Sequence, residues 1–279
     1  MSKIEKSLDS RDRPARTGNV RLIVLLVWAG IVLHAFPAAA LTSPIPLGRG
    51  TKWVYEGEVV WTPIAGTYPR LPGTKLTSED GVSWTVLKPS DGAQRAYVRW
   101  TTEVIDSFES KYGKVAVIRG YPDNLAWGEP DRPPTYCVLI NITNGVYRIK
   151  ARNREEALHR AREIASACRR GPDLLSEDSQ ILDLPLAVNK RWGGDTVRED
   201  AWYCWHVESQ TQRRLTVKGA PASQPATVFT LAYRTLPDHQ IVELCPGLGV
   251  IRYLYVHHGT VASADVRLVE FKRARRPPK

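Results

Sequence analysis

The chain has 279 residues, 43% of them hydrophobic and 24% charged, with a formal net charge of +10. Those proportions are ordinary for a globular protein. The charge excludes a nucleic-acid footprint: residues 1–40 carry +3 and residues 272–279 carry five cations, so only about +2 is left for the body, whereas nucleic acid needs a basic face on the folded domain itself.

The first element in chain order is an export signal. Six Lys/Arg residues lie between Lys3 and Arg21, ahead of an unbroken apolar run from Leu22 to Leu33. Ala38-Ala39-Ala40 ends the segment with small residues, and Pro37 breaks the helix just before them. A basic start, a short apolar core and an A-x-A end describe a secretory signal peptide. Cleavage near Ala40 gives a periplasmic or secreted protein. The alternative is an uncleaved anchor over residues 22–40, although a spanning helix needs about 20 apolar residues.

Beyond residue 40 the pattern turns β-like. Lys52 to Trp61 reads as a strand, followed by a Gly/Pro/Thr-rich connection. Val82 to Leu87 alternates in polarity, and Ala96 to Ile105 and Lys114 to Arg119 continue the pattern. Tyr121 to Pro134 is a proline-rich loop carrying Trp127. Tyr136 to Ile142 and Val146 to Lys150 flank Asn144-Gly145, a hairpin turn signal.

The period changes at Asn153. Ala157, Ala161, Ile164, Ala165 and Cys168 recur at helical spacing, which predicts a helix over 153–170. Asn153 and Glu156 supply an N-cap and capping box, and Gly171-Pro172 stops the helix. Its Glu/Arg-rich face marks a surface helix laid on a sheet. Strands resume at Ile181, with further runs at Trp202–Glu208, Arg214–Val217, Thr227–Arg234, Gln240–Leu244, Val250–His257 and Ala264–Phe271.

Two stretches repeat. Ile45-Pro46-Leu47 precedes Trp53 by the spacing at which Leu184-Pro185-Leu186 precedes Trp192. Asn144-Gly145-Val146-Tyr147 and Gly247-Leu248-Gly249-Val250-Ile251 then each start a late strand. The expected fold is mainly β: two related antiparallel β modules, of half-barrel or sandwich type, joined by one surface α-helix. The expected organisation is a signal or anchor at 1–40, a first module at 41–152, the bridging helix at 153–172, a second module at 173–271 and a basic tail at 272–279.

Four cysteines, Cys137, Cys168, Cys204 and Cys245, follow the signal. In an exported protein an even count predicts disulfides. Cys137 with Cys168 and Cys204 with Cys245 keep each bridge inside one half; buried free thiols are the alternative. Cys204, His206, Cys245 and His258 match no zinc-finger spacing, and no metal or cofactor is expected. His206, Asp238, His239 and His257 form the one neighbourhood that could serve hydrolase-type chemistry, but no nucleophile motif such as G-x-S-x-G accompanies them.

Tryptophan is in excess, nine against four Phe. Core packing explains most of it. Alternatively, Trp53, Trp127, Trp192 and Trp205 line a cavity or groove for an apolar or sugar ligand, since Trp offers a large flat face with one N–H donor.

Pro46-Leu47 with Trp53 and Tyr55, and Pro246-Gly247-Leu248-Gly249-Val250-Ile251-Arg252-Tyr253, resemble motifs of a group of uncharacterised exported bacterial β proteins. That group is distantly similar to periplasmic lipoprotein carriers, half-barrels curved around a lipid-binding cavity. The resemblance implies an exported, envelope-associated, non-enzymatic binding protein, with an apolar or lipid-like ligand or an envelope protein as partner and no assigned catalytic residue. The basic tail adds a membrane-surface contact. The rival readings are a hydrolase built on the His/Asp cluster and a structural or protein–protein adaptor.

Overall fold

The computed structural model describes residues 43–61, 71–77, 83–87, 94–122, 136–166, 179–220, 225–257 and 261–274. All belong to the compact unit Leu41–Lys279; residues Met1–Ala40 are a separate unit. The strands of the first half are β1 (Lys52–Trp61), β2 (Lys75–Thr77), β3 (Ser83–Val86), β4 (Gln94–Ser110), β5 (Gly113–Arg119), β6 (Tyr136–Ile142) and β7 (Gly145–Ala151). The helix α1 (Arg154–Ser166) follows. The remaining strands are β8 (Gln180–Asp183), β9 (Arg191–Gly194), β10 (Cys204–Arg213), β11 (Ala226–Arg234), β12 (Asp238–Cys245), β13 (Gly249–His257) and β14 (Val261–Lys272).

The strands form one antiparallel sheet in the order β8-β7-β6-β5-β4-β1-β14-β13-β12-β11-β10-β9. β2 and β3 form a small flap on the edge of β4 beyond β5. The two ends of the sheet, β8 and β9, approach each other without pairing. The sheet is therefore curled almost into a barrel, with one open seam. The first half joins the second through the long β1–β14 ladder, from Lys52↔Lys272 to Trp61↔Val261.

Side-chain alternation decides what the curl encloses. On the inner face Trp53, Tyr55, Ile118, Leu139, Leu231, Leu244 and Tyr255 belong to one apolar cluster that draws on both halves. Both halves thus share a single core. The outer face of β1, β4, β12, β13 and β14 is charged. Arg95 pairs with Glu58 at 3.2 Å, Arg99 pairs with Glu56, and Arg252 pairs with Asp265 at 2.7 Å. An apolar inside with a charged outside is the reverse of a lipid-spanning barrel, whose outer band is apolar.

The size of the curl accounts for the tryptophans. About eight strands make a barrel that ordinary side chains can fill. Twelve strands in the main order enclose more space, so the largest side chains are needed to occupy it. Trp53, Trp61, Trp100 and Trp192 are all buried in the shared core.

The helix forms where expected and packs on the outer face of β4–β7. Glu156 N–H donates to Asn153 Oδ1 at 2.9 Å, and Arg152 N–H donates to Glu156 Oε2 at 2.9 Å. The Arg152 N–H bond, followed by the Arg152 and Arg160 side chains, holds the Glu156 carboxyl low, at about 2. Ala157 and Ala161 are fully buried against Val115, Val117, Val138 and Ile140. β5 and β6 are consequently covered on both faces, which is why they read as continuous apolar runs.

The repeated sequence has a matching local geometry. Gly50 N–H donates to Val104 O at 2.9 Å, and Asn189 N–H donates to Val207 O at 2.9 Å. Thr51 N–H reaches Gly48 O at 3.0 Å, and Lys190 N–H reaches Ala187 O at 3.0 Å. Gly50 and Asn189 both have positive φ, 83° and 68°, a conformation that glycine and asparagine tolerate best. The register is shared as well: Trp53 faces Thr102 and Trp192 faces Trp205. A bulge follows in each partner strand, between Val104 and Asp106 and between Val207 and Ser209. The likeness is local. The β2–β3 flap and α1 belong to the first half, and Leu184–Pro185 is cis.

Arg214–Val217, β-prone in sequence, joins no strand ladder. Leu215 and Val217 pack against the core, while Lys218 bonds to Val269 O and to Phe271 N–H beyond the last β13–β14 pair.

The β1–β14 junction depends on Gly57. A Cβ there would lie 1.9 Å from Asp265 O and 2.7 Å from Val266 Cα, both backbone atoms that cannot yield cheaply. Gly57→Ala is expected to destabilise by about 2–3 kcal/mol, read as a lower midpoint in urea unfolding. An unchanged midpoint would show that the two strands can separate freely at this point.

Candidate ligand cavity

A cavity of about 320 Å³ lies inside the curl at the open seam, at the lower end of the roughly 300–1,000 Å³ range of ligand pockets. Ile181 and Leu182 of β8 and Gly193 and Gly194 of β9 border the seam side. Leu244, Val242 and Gln240 follow at every second position of β12, so they share the inner face. Register sets Val242 beside Leu231 and Tyr253, and Gln240 beside Tyr233 and Tyr255. Trp205 lies next in that row, opposite Tyr233. The wall thus grades from aliphatic to aromatic and polar.

Among the described residues, one formal charge lines the cavity. Arg148 shares the inner face of β7 with Val146, while Tyr147 and Ile149 turn to the helix side. Its guanidinium stands 5.5 Å from the centre of the Tyr121 ring. Burial pushes the Arg148 pKa down, and the nearby Tyr121 and Tyr253 oppose that shift. Burial also raises the Tyr253 hydroxyl far above its usual range and lifts Tyr121 to about 12. The Tyr253 hydroxyl is buried and has no hydrogen-bond partner among the described residues. Among the described residues of the lining there is no carboxylate.

The four tryptophans separate. Trp205 is half-buried and lines the cavity. Trp192 stacks behind it, ring centres 6.3 Å apart and planes 13° apart, so it supports the wall without forming it. Trp53 belongs to the filled part of the core. Its indole N–H donates to Leu248 O at 2.5 Å, and beside it remains a void of only about 10 Å³. Trp127 lies outside the described residues.

The expected Cys204–Cys245 disulfide does not form. Cys137, Cys204 and Cys245 are buried free thiols. Cys204 sits at the end of β10 near Arg234, and Cys245 lies past the Leu244–Phe229 pair at the far end of β12, with β11 between them. A disulfide needs Cα atoms within about 7 Å, which that register precludes. Burial raises all three thiol pKa values, so they remain protonated at neutral pH. Cys168, the expected partner of Cys137, lies outside the described residues.

The His/Asp neighbourhood divides into separate groups. His206 Nε2 lies 3.5 Å from Glu208, which also pairs with Arg234 at 2.6 Å. Burial pushes the His206 pKa down despite that carboxylate. His239 meets the Trp202 ring edge-on at 5.7 Å. Asp238 accepts from the Tyr255 hydroxyl at 2.5 Å and lies 3.6 Å from His257 Nε2. His258 lies outside the described residues, and among those described no three His, Cys, Asp or Glu side chains converge as a metal site.

Sequence reasoning missed Arg148 and Tyr253. The alternation Val146-Tyr147-Arg148-Ile149 carried the signal, but an Arg in an alternating strand normally marks the solvent face. Here α1 covers the other face, leaving Arg148 inside.

The fold and site define a class: an antiparallel β barrel, open along one seam, with a ligand-sized and largely apolar interior. Comparison with protein-family models, curated proteins and solved structures finds no match.

Proposed function

We propose that the protein is an exported, non-enzymatic binding protein that holds a small apolar or lipid-like ligand inside the barrel. The seam-side cavity carries this reading: a filled core would offer no room, and a lipid-facing barrel would not be charged outside. The basic, apolar and small-residue pattern of residues 1–40 supports export. The motif resemblance to uncharacterised exported β proteins, a group distantly similar to half-barrel lipoprotein carriers, points the same way. The Asp238–His257 contact lies outside the cavity lining and adds nothing to a catalytic alternative.

Native mass spectrometry of the protein purified from cells tests this. The expected result is an added mass in the native spectrum that disappears on denaturation. A bare polypeptide mass that also fails to take up added dodecanol would overturn the reading in favour of an adaptor.

A further inference from the structure

We propose that the ligand is a single alkyl chain bearing a neutral oxygen acceptor, the hydroxyl of an alcohol or the carbonyl of an ester, and that the Tyr253 hydroxyl donates a hydrogen bond to that oxygen. This rests on the carrier reading of the cavity and specifies the head of its ligand. Three observations lead to it.

First, the wall holds an unused donor. Among the described lining residues, only Tyr253 contributes a buried side-chain polar atom with no hydrogen-bond partner. Tyr253 is 2% exposed, and burial raises its hydroxyl far above the usual range, so the O–H keeps its proton and is available to donate. A buried hydroxyl left without a partner is costly, and an acceptor on the ligand removes that cost. Second, the neighbouring polar groups suit an uncharged head. Arg148 is already engaged: its guanidinium stands 5.5 Å from the centre of the Tyr121 ring, and it has further interactions within the protein. Gln240 lies one diagonal step from Tyr253 across β12 and β13, and its carboxamide can donate to a carbonyl or accept from a hydroxyl. Burying a carboxylate here would cost more than one hydroxyl bond returns, whereas a neutral oxygen needs only the donor that Tyr253 offers. Third, the space fits one chain. A volume of about 320 Å³ is roughly ten times the ~30 Å³ share of a water molecule, and a methylene group has similar bulk.

Head and chain contacts adjoin. Leu231, Val242 and Tyr253 form one cross-strand row, and Leu244 follows Val242 on the inner face. A chain lying along these aliphatic side chains brings an oxygen at its end beside the Tyr253 ring. The open β8–β9 seam provides a way in that needs no strand pair to break. A plain hydrocarbon fills the same space and leaves the hydroxyl unsatisfied.

The test compares octanol, methyl octanoate, octane and octanoate as probes of the unmodified protein and of Tyr253→Phe. Binding is followed by intrinsic tryptophan fluorescence of the purified full chain, because Trp205 lines the cavity. Tyr253→Phe is expected to weaken octanol and methyl octanoate about tenfold, the size of one buried hydrogen bond, and to leave octane unchanged, which also shows that the variant is folded. A loss confined to the alcohol or to the ester supports the proposal and names the head. The melting temperature of the ligand-free variant is expected to hold or rise, since no partner is lost. A fall of several degrees would show that the hydroxyl is already used within the protein and would overturn the proposal. Equal loss for octanol, methyl octanoate and octane, or loss for none, would overturn the acceptor head and leave the carrier reading intact, as would octanoate binding more tightly than octanol. Absence of binding by every probe would overturn both.

Discussion

Val242→Trp is expected to abolish ligand binding while leaving the barrel folded. Val242 is half-buried, lines the cavity and lies beside Leu231 and Tyr253 in the sheet register. In a filled core such an enlargement would force neighbouring side chains out of their rotamers, at about 1–3 kcal/mol. Here the added ring projects into about 320 Å³ of existing space, so it takes the volume a ligand would use. The co-purifying mass is expected to vanish, and affinity for dodecanol to fall at least about a hundredfold, or about 2.7 kcal/mol. The melting temperature is expected to stay within a few degrees, since no buried group loses a partner. Val242→Ala, which enlarges the space, is expected to retain binding. A Val242→Trp protein that still carried the ligand would place the binding site elsewhere.

Local features were legible in the sequence and closure was not. The strand runs, the Asn153–Glu156 cap and the paired Trp53 and Trp192 stretches all have short-range causes: alternation, a capping oxygen, a turn that demands positive φ. The β1–β14 ladder joins residues 200 to 220 positions apart, from Trp61↔Val261 to Lys52↔Lys272, and no local pattern announces such a pairing. Without that ladder the inside of the curl cannot be told from the outside. Arg148 was therefore readable as a solvent residue, and Cys204 and Cys245 as a bridge, although one strand and most of a strand's length separate them. Composition offered Trp205 together with Trp53, Trp127 and Trp192, and nothing in the sequence separated the one that lines the cavity from Trp53 and Trp192 in the packed core. The likeness of the stretches leading to Trp53 and Trp192 was legible only as a spacing; the matching turn and the bulge in each partner strand are seen in the structure alone.

Trp53→Ala is expected to be the most damaging single change. Trp53 is buried, stands 6.0 Å from the Phe271 ring across the β1–β14 junction, and donates its indole N–H to Leu248 O. Its removal opens a large hole where the two halves of the sheet join and leaves a buried carbonyl unpaired. Truncations of this kind cost about 3–5 kcal/mol, which for a chain of this size lowers the melting temperature by roughly 10 °C. The milder pair Trp53→Phe and Trp192→Phe separates packing from hydrogen bonding. Both residues open their strand after the same turn and both are buried. The Trp192 indole N–H, however, has no hydrogen-bond partner among the described residues, whereas the Trp53 indole N–H has one. Trp53→Phe thus leaves Leu248 O unsatisfied, at about 1–3 kcal/mol, while Trp192→Phe removes a donor that already lacks an acceptor. Calorimetry should find Trp53→Phe clearly the less stable of the two. The reverse order would mean that the stacking of Trp192 on Trp205, and not the Trp53 bond that ties the start of β1 to the β12–β13 turn, holds the barrel's end in place.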